Sequence, residues 1–278
     1  MKKLKCKEII KVINGKLISG NSNIEFNNIS IDSRKIQEGD LFIPIIGKNF
    51  DGHNFIKESL NNGAIAVITE KEYDLESSNN KVIIKVDNTR KALMDIATFY
   101  KSKFNTFTIG ITGSVGKTCT KDMISCVLRE KYNILKTEGN FYNEIGVPLT
   151  VFNLEDIHVA AVIEMGMSDF HEISNLTNIV KPNIAVITNI GLSHIQNLGS
   201  RHNILKAKLE ILEGLENDGV VVLNGDDHLL YGLKDLLKFN TIFYGMEEGN
   251  DFQAYNVETV GEKGTYFEIL IENYMNFK

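Results

Sequence analysis

The chain has 278 residues, of which 43% are hydrophobic, so it is long enough to bury the core of one large or two ordinary domains. Its formal net charge of -6 argues against a nucleic-acid partner, because nucleic-acid binders need a basic face. The amino terminus lacks the apolar run of a signal peptide, and no stretch approaches the ~20 apolar residues needed for membrane insertion. The three cysteines, Cys6, Cys119 and Cys126, show no metal-ligand spacing and are typical of reduced thiols, so we expect a cytoplasmic protein.

Short helical and strand signals alternate over the first hundred residues. The helical signals are CKEIIKVING, FIKESLNNG and NTRKALMDIATFYKSK, the first two ending at Gly15 and Gly63. The strand signals are two short runs on either side of a turn at residues 38–40, the run at residues 64–68, and KVIIKV. These signals predict a small α/β domain over residues 1–103.

A second pattern begins near residue 104. FTIGIT, VAAVIE, IAVITNI, GVVVLNG and TIFYG are continuous apolar runs, typical of parallel strands that are covered on both faces. Helices are predicted between them at residues 117–130, 171–180, 201–216 and 227–238. In the first of these helices the residues predicted to face inward are Met123, Ile124, Val127 and Leu128. The pattern predicts a doubly wound, mostly parallel sheet over residues 104–278, with a hairpin turning at residues 262–264.

The stretch GITGSVGKTCT follows the first strand of this sheet. It therefore lies at the carboxyl end of a strand, where parallel sheets bind their ligands. Gly113 and Gly116 would let the backbone approach phosphates, and the next helix would point free N–H groups at them. Lys117 would reach the outer phosphates and Thr118 would offer a hydroxyl to Mg²⁺. The common spelling of such a loop has a glycine where Ile111 stands, so an ordinary strand-to-helix turn is the alternative. The position between an apolar strand and an amphipathic helix favours a nucleotide site.

Other polar residues follow strands or lie on a helix of the same domain, and each has an ordinary structural explanation. Glu164 suits Mg²⁺, because hard cations prefer oxygen ligands, but a lone glutamate is more often a cap or a surface residue. A loop histidine such as His194 is more often structural or solvated than a ligand. Lys206 and Lys208 are typical of a solvated helix face. Asp226 and Asp227 suit a helix cap.

Taken together, these stretches resemble the Mur ligase family. GITGSVGKTCTKD, EGNFYNEIGVPLT, IEMGMSDFHEI, KPNIAVITNIGLSHIQNLGS and KAKLEIL follow the central-domain motifs of the family in order. DSRKIQEGDLFIPIIGKNFDGHNFI follows the amino-terminal motif, and the resemblance covers about residues 27–228. The phosphate loop of the family follows the pattern T-G-x-x-G-K-[ST], which does not require a glycine at the position of Ile111. The wording GSVGKT and EMGM favours the member that joins D-alanyl-D-alanine to UDP-N-acetylmuramoyl-tripeptide.

The resemblance also implies a role for each candidate residue. The residues implied in binding ATP are Gly113, Ser114, Val115, Gly116, Lys117, Thr118, Cys119 and Asn143. Thr118 and Glu164 would hold one Mg²⁺, and His194 would help to hold a second. Lys208, with Lys206 as its rival, would be the carbamylated lysine, whose carbamate can serve a metal. The residues implied in cradling the UDP end of the substrate are Ser33, Arg34, Asp51 and His53.

The implied reaction is ATP-driven amide formation through an acyl phosphate, a step in peptidoglycan precursor synthesis that gives ADP and phosphate. The resemblance favours a monomer. Family members continue into an adenine-contacting segment and a third, carboxyl-terminal domain, so we expect a fragment that binds ligands without turnover. One alternative is a related Mur ligase that adds a single amino acid. Another is a non-catalytic nucleotide-binding module, which would bind ATP and not the UDP-sugar.

Overall fold

The computed structural model describes residues 1–72 and 81–271, so residues 272–278 of the predicted second domain lie outside the described residues. The described chain divides into two compact units. The first unit contains Met1–Asn105 and Glu144–Ile157, and the second contains Thr106–Asn143 and the chain from His158 onward. The predicted boundary lies between residues 103 and 104, which would place residues 144–157 in the second domain, whereas these residues pack within the first unit.

The strands are short in the first unit and longer in the second. In chain order they are β1 (Leu4–Lys5), β2 (Lys16–Ser19), β3 (Glu25–Phe26), β4 (Ile29–Ser30), β5 (Leu41–Phe42), β6 (Ala66–Thr69), β7 (Val82–Lys85), β8 (Phe107–Thr112), β9 (Ile134–Lys136), β10 (Ala160–Glu164), β11 (Ile184–Ile187), β12 (Val220–Asn224), β13 (Asn240–Gly245), β14 (Phe252–Thr259) and β15 (Thr265–Ile271).

The α-helices are also taken in chain order. They are α1 (Cys6–Val12), α2 (Ile56–Asn61), α3 (Thr89–Lys101), α4 (Lys117–Arg129), α5 (Gly146–Val151), α6 (Glu172–Val180), α7 (Ile195–Leu198), α8 (Arg201–Leu209) and α9 (His228–Tyr231). Short 3-10 helices occur at Ser33–Lys35, Gly52–Phe55, Glu210–Glu213 and Gly261–Lys263.

The first unit is built on a five-stranded sheet with the order β2-β7-β6-β5-β4. All its neighbouring strands are parallel except β2, which runs antiparallel to β7. One face of the sheet packs on α2, and the core between them contains Phe42, Val67 and Ile83 from the strands with Ile56 and Leu60 from the helix. The predicted α/β domain is therefore present, with β1 and β3 forming a separate antiparallel pair.

Helix α3 packs against α5 on its buried face. Tyr100 lies at the centre of this contact, fully buried, with its ring edge-on to Phe152. Its hydroxyl donates to the Leu154 carbonyl at 2.8 Å and accepts from the Lys2 N–H at 2.7 Å. One side chain thus joins the amino terminus, α3 and the segment after α5, which is why the first unit includes residues from two parts of the chain.

The second unit is built on an eight-stranded sheet with the order β9-β10-β8-β11-β12-β13-β14-β15. Every neighbouring pair is parallel except β14 and β15, which form the predicted hairpin. The chain places β9 and β10 on one side of β8 and then moves to β11 on the other side. The carboxyl end of β8 is therefore a topological switch point, where α/β sheets bind ligands. The predicted mostly parallel α/β sheet is confirmed.

The prediction for the inner face of α4 is partly wrong. Ile124 and Leu128 do pack against the sheet core, but Met123 and Val127 are 71% and 72% exposed. Lys121 and Ser125 are buried instead. The buried stem of Lys121 is apolar and suits this face, while its ammonium reaches Asp122 Oδ1 at 3.4 Å.

Two predicted helices are shorter than expected. The helix predicted at residues 201–216 ends as α8 and continues as a 3-10 turn, and the one predicted at residues 227–238 is limited to α9. The strand β9 was not predicted, because its three residues carry no periodicity.

Candidate active site

The phosphate loop, residues 113–118, connects β8 to α4. Gly113 has φ +150° and Gly116 has φ +84°, both in the region that favours glycine. A Cβ atom on Gly113 would lie 1.9 Å from Thr188 Oγ1, so a side chain does not fit there. Around Gly116 there is open space, and glycine is needed for the left-handed backbone that starts α4. The loop therefore brings its backbone close to β11 and then turns sharply into the helix.

The first half of the phosphate loop is bonded to residues 188–193, which we call the β11 loop. The Ser114 N–H donates to the Asn189 carbonyl at 3.1 Å, and the Val115 N–H donates to Asn189 Oδ1 at 3.1 Å. Val115 O accepts from Asn189 Nδ2 at 3.0 Å and from Thr188 Oγ1 at 2.6 Å. The Gly191 N–H donates to Ser114 Oγ at 2.9 Å. These bonds leave only the second half of the loop open to a ligand.

The second half of the loop carries free donors. Among the described residues, the N–H groups of residues 116–119 have no hydrogen-bond partner, as expected at a helix start. Lys117 Nζ donates to the Gly113 carbonyl at 3.0 Å and folds over the loop. Burial lowers the pKa of Lys117, and the nearby Glu164 carboxylate opposes that shift. An anion at this helix start would meet both backbone N–H groups and the lysine.

Thr118 and Glu164 lie in direct contact. The Thr118 hydroxyl is 3.1 and 3.0 Å from the two Glu164 carboxylate oxygens. Glu164 ends β10, is 1% exposed, and its own N–H donates to Thr137 Oγ1 at 3.0 Å. A buried carboxylate beside a hydroxyl supplies the hard oxygen donors that Mg²⁺ prefers. In residues 1–72 and 81–271 no group of three or more His, Cys, Asp or Glu residues could hold a metal ion alone, so further oxygen ligands would be needed.

Lys208 is buried and Lys206 is exposed, although both lie on α8. The Lys208 side chain is 2% exposed, and no described residue forms a hydrogen bond or an ion pair with its amine. Burial first, and the charge of Lys117 second, lower the pKa of Lys208 to about 7. A large fraction of this amine is therefore neutral near pH 7 and able to react as a nucleophile.

His194, Asn143 and Cys119 are all exposed. His194 immediately precedes α7 and has φ +64°. It lines a cavity of about 300 Å³ whose walls are formed by residues 192 and 194–197. Asn143 lies in the chain between β9 and α5, and Cys119 lies in the first turn of α4. No described hydrogen bond or ion pair joins His194 to Glu164, whereas Thr118 contacts Glu164 and the charge of Lys117 acts on Lys208.

Ser33 and Arg34 line a cavity of about 640 Å³ in the first unit. The walls of this cavity include the rings of Phe42, Phe50 and Phe55, of which the last two are exposed. The Arg34 guanidinium donates to both carboxylate oxygens of Asp32, at 2.8 and 2.9 Å. This ion pair lowers the pKa of Asp32 to about 2. The cavity therefore combines aromatic faces with an exposed cation, which suits a flat, charged ligand.

Asp51 and His53 support the turn beside this cavity, and Gly52 between them lines it. His53 Nδ1 is 2.7 Å from Asp51 Oδ1, and the Glu70 N–H donates to His53 Nε2 at 3.1 Å. The Glu70 contact makes Nε2 an acceptor, so the proton is on Nδ1 and donates to Asp51. A hydrogen bond from Lys71 holds the pKa of Asp51 well below its usual range. Both ring nitrogens of His53 are thus occupied within the protein.

Asn189 and Arg201 were not predicted as site residues. The Arg201 guanidinium donates to the Ile190 carbonyl at 2.7 Å, and Asp227 accepts from the Ile190 N–H at 2.7 Å. Asp227 also accepts from the Leu229 N–H and caps α9, which confirms its interpretation as a helix cap. The only sequence signal for Asn189 was its place after a strand, in TNIGLSH.

No described helix has the length and apolar character needed to cross a membrane. All three cysteines are free thiols, with Cys6 buried and the other two exposed.

Comparisons with known proteins agree with this geometry. The model of the Mur ligase middle domain matches residues 111–277, and the model described as the Mur ligase family, catalytic domain, matches residues 25–101. A UDP-N-acetylmuramoyl-tripeptide–D-alanyl-D-alanine ligase from Bacillus subtilis is 42% identical over 96% of this chain and 58% of its own length.

Two solved structures show the same fold. MurF from Acinetobacter baumannii has a TM-score of 0.87 at 29% identity, over 97% of this chain and 61% of that one. MurF ligase from Thermotoga maritima in complex with ADP has a TM-score of 0.81 at 33% identity, over 88% of this chain and 56% of that one. This chain thus spans somewhat more than half the length of these relatives. On the matched models, the sequence identity and the shared fold, the chain belongs to the Mur ligase family.

Proposed function

We propose that this chain carries the ATP site and the UDP-substrate site of a ligase that joins D-alanyl-D-alanine to UDP-N-acetylmuramoyl-tripeptide. The names of the relatives support this reaction over addition of a single amino acid. The observation that carries the proposal is the group formed by Lys117, the Thr118–Glu164 contact and the buried Lys208. This group combines donors for phosphate, oxygen ligands for a cation and an amine that is partly neutral near pH 7.

In this proposal the phosphates of ATP lie against the N–H groups of residues 116–119. These groups have no described partner, and they begin a helix of 13 residues whose dipole favours negative charge. Lys117 would leave the Gly113 carbonyl and contact the outer phosphates. Its partial burial strengthens that contact, because a desolvated cation interacts more strongly with an anion than a hydrated one does. Ser114, Val115 and Cys119 line the loop, and Asn143 would approach the phosphates from its exposed position.

Thr118 and Glu164 would hold one Mg²⁺, and His194 would help to hold a second. The hard oxygens of the first pair fit magnesium, and the exposed ring of His194 is available to a ligand. When bound, magnesium neutralises charge on the transferring phosphoryl group. Glu164 is suited to this role because Thr118 contacts its buried carboxylate, and its backbone N–H is held by the Thr137 hydroxyl.

Lys208 would act as the carbamylated lysine of the family. Its amine can take up CO₂ only in the neutral form, which its burial favours. The product would be an anion near Lys117, where the unmodified ammonium meets only repulsion. Carbamylation would thus convert an unfavourable pair of cations into an ion pair and a possible metal ligand. Lys206 is exposed and has no such advantage.

The cavity of the first unit would receive the UDP end of the other substrate. Phe50 and Phe55 offer exposed ring faces for stacking on uracil, and Arg34 offers a cation for the diphosphate. Ser33 lines the same cavity, and Asp51 and His53 would act by holding the turn that carries Gly52. Arg34 would exchange part of its contact with Asp32 for the ligand.

The proposed reaction has two steps. The terminal carboxylate of the UDP-sugar tripeptide attacks the γ-phosphate of ATP, which releases ADP and forms an acyl phosphate. The amine of D-alanyl-D-alanine then attacks the acyl carbon, loses a proton and displaces phosphate. Fixed N–H groups and cations lower the barrier by stabilising negative charge as it develops. We further propose that the protein is cytoplasmic, which its free thiols fit, and that it is a monomer.

Calorimetric titration tests the proposal in two parts. UDP-N-acetylmuramoyl-tripeptide is titrated into the wild-type chain, Arg34→Ala and the matched control Lys35→Ala. Lys35 is adjacent, exposed and outside the cavity lining. We expect binding that is about 10-fold weaker in the Arg34 variant and unchanged in the control. Binding that is equal in all three would contradict the assigned pocket, and absence of binding to a folded chain that still binds Mg-ADP would leave only a nucleotide-binding module.

A further inference from the structure

We propose that Asn189 is a positioning residue of the nucleotide site, whose side-chain amide pairs with the Val115 peptide and holds the phosphate loop open for phosphate before nucleotide arrives. The inference rests on the proposed ATP site and assigns a residue that the phosphate-loop motif itself does not contain. Asn189 lies 74 positions from Val115 in the sequence.

The pairing is reciprocal. Oδ1 of Asn189 accepts from the Val115 N–H at 3.1 Å, and Nδ2 donates to the Val115 carbonyl at 3.0 Å. The side-chain amide therefore binds the peptide as a second peptide would. A carboxylate lacks the donor and a hydroxyl is too small to span both groups, so an amide is the side chain that fits. The Val115 peptide also fixes the orientation of the amide, because the Val115 N–H needs an acceptor and the Val115 carbonyl needs a donor.

The backbone of Asn189 adds a third bond, from the Ser114 N–H to its carbonyl at 3.1 Å. Together these bonds take up the N–H groups of Ser114 and Val115. Phosphate would then have to bind the later N–H groups, those of residues 116–119, which have no described partner. Asn189 in this way divides the loop into a fixed half and a receiving half.

Asn189 is itself held on both sides. The Thr188 N–H donates to the Thr112 carbonyl at 3.0 Å, and Thr188 Oγ1 shares the Val115 carbonyl with Asn189. On the other side, Ile190 is bonded through its N–H to Asp227 and through its carbonyl to Arg201, the first residue of α8. A positioning residue has to be more rigid than the group it positions, and these contacts provide that rigidity.

The test compares Asn189→Ala and Asn189→Asp with the wild type. The matched control is Asn178→Ala on α6, which also loses two side-chain amide bonds, one donated to the Ser174 carbonyl and one accepted from Lys181 Nζ. Mg-ADP affinity is measured by calorimetry, amide hydrogen exchange by mass spectrometry with fragments that resolve residues 113–119, and the thermal midpoint by fluorescence.

We expect Asn189→Ala to weaken Mg-ADP binding about 10-fold, because part of the binding free energy then has to order the loop. Asn189→Asp should bind more weakly still, since it adds a negative charge beside the phosphates. Exchange at Ser114 and Val115 should accelerate in the ligand-free variants and slow again with saturating Mg-ADP, with the thermal midpoint close to that of Asn178→Ala.

Equal Mg-ADP affinity for Asn189→Ala and Asn178→Ala would overturn the inference. Faster exchange throughout the second unit would also overturn it, because it would show a general structural role. If the wild type fails to bind Mg-ADP, the proposed ATP site fails, and loop exchange in the ligand-free variants then decides about Asn189 by itself: unchanged exchange rejects the positioning role, and local acceleration supports it.

Discussion

Replacement of the buried Lys208 by methionine should stabilise the chain, and by an amount that depends on pH. Lys208 is 2% exposed, and its amine has no described partner and is exposed to the charge of Lys117. Methionine has a similar length and no charge, so it removes the electrostatic cost while filling the same space.

The magnitude follows from the pKa of Lys208, which falls from the ordinary lysine value of 10.5 to about 7 on folding. Each pKa unit corresponds to about 1.4 kcal/mol, so a protonated Lys208 costs the fold about 5 kcal/mol below pH 7. Between pH 7 and 10.5 the unfolded chain holds this proton and the folded chain does not. The unfolded state binds more protons there, so raising the pH stabilises the wild-type fold and reduces the cost to about 2 kcal/mol at pH 9.

The assay is urea unfolding of the wild type, Lys208→Met and Lys206→Met at pH 6, 7.5 and 9, without added bicarbonate. Lys206 lies on the same helix and is exposed, so its replacement controls for a change of charge on α8. The advantage of Lys208→Met over the wild type should shrink by about 3 kcal/mol between pH 6 and pH 9. An advantage that stays constant across this range would refute the argument, because it would show that Lys208 folds without losing its proton.

Three other predictions concern the loop, the metal ligands and the first unit. Gly113→Ala should lower the thermal midpoint more than Gly116→Ala, because the first meets Thr188 Oγ1 at 1.9 Å while the second meets open space and loses about 1–2 kcal/mol to its left-handed backbone; equal losses would contradict the steric explanation. Glu164→Gln should reduce the Mg²⁺-dependent gain in ADP affinity about 10-fold or more in calorimetry, and an unchanged gain would remove Glu164 from the proposed metal ligands. Tyr100→Phe should lower the free energy of unfolding by about 1–3 kcal/mol in urea, since the Lys2 N–H and the Leu154 carbonyl both lose a buried partner; a loss near zero would mean that water replaces the hydroxyl.

The phosphate loop and the parallel strands could be predicted from sequence because their signals are local. Gly113, Gly116 and Lys117 lie within five residues, between an apolar strand and a helix, and five strands of the second sheet, β8 and β10–β13, come from continuous apolar runs. The roles of Asn189 and Arg201 could not be predicted, because each depends on a partner that only the folded chain brings near. A single asparagine after a strand has many ordinary explanations.

The two lysines of α8 and the exposed face of α4 show a second limit. The spacing of Lys206 and Lys208 places them on different sides of one helix, but spacing alone does not say which side is covered. The same holds for α4, where two of the four apolar residues predicted to face inward, Met123 and Val127, are exposed. Lys121 contributes an apolar stem to that face, and a pattern that counts lysine as polar misses it.

The packing of α3 on α5 has a consequence for how the protein is made. Domains commonly fold in order as they leave the ribosome, the amino-terminal one first. Here the first unit needs residues 144–157, which follow the phosphate loop and the first strands of the second unit in the chain. Until the Leu154 carbonyl is synthesised, the hydroxyl of Tyr100 lacks its acceptor and the ring lacks its contact with Phe152. The growing chain therefore keeps its first unit incomplete while the nucleotide loop emerges, and that unit can close only after residue 157, with most of the second unit still to be made.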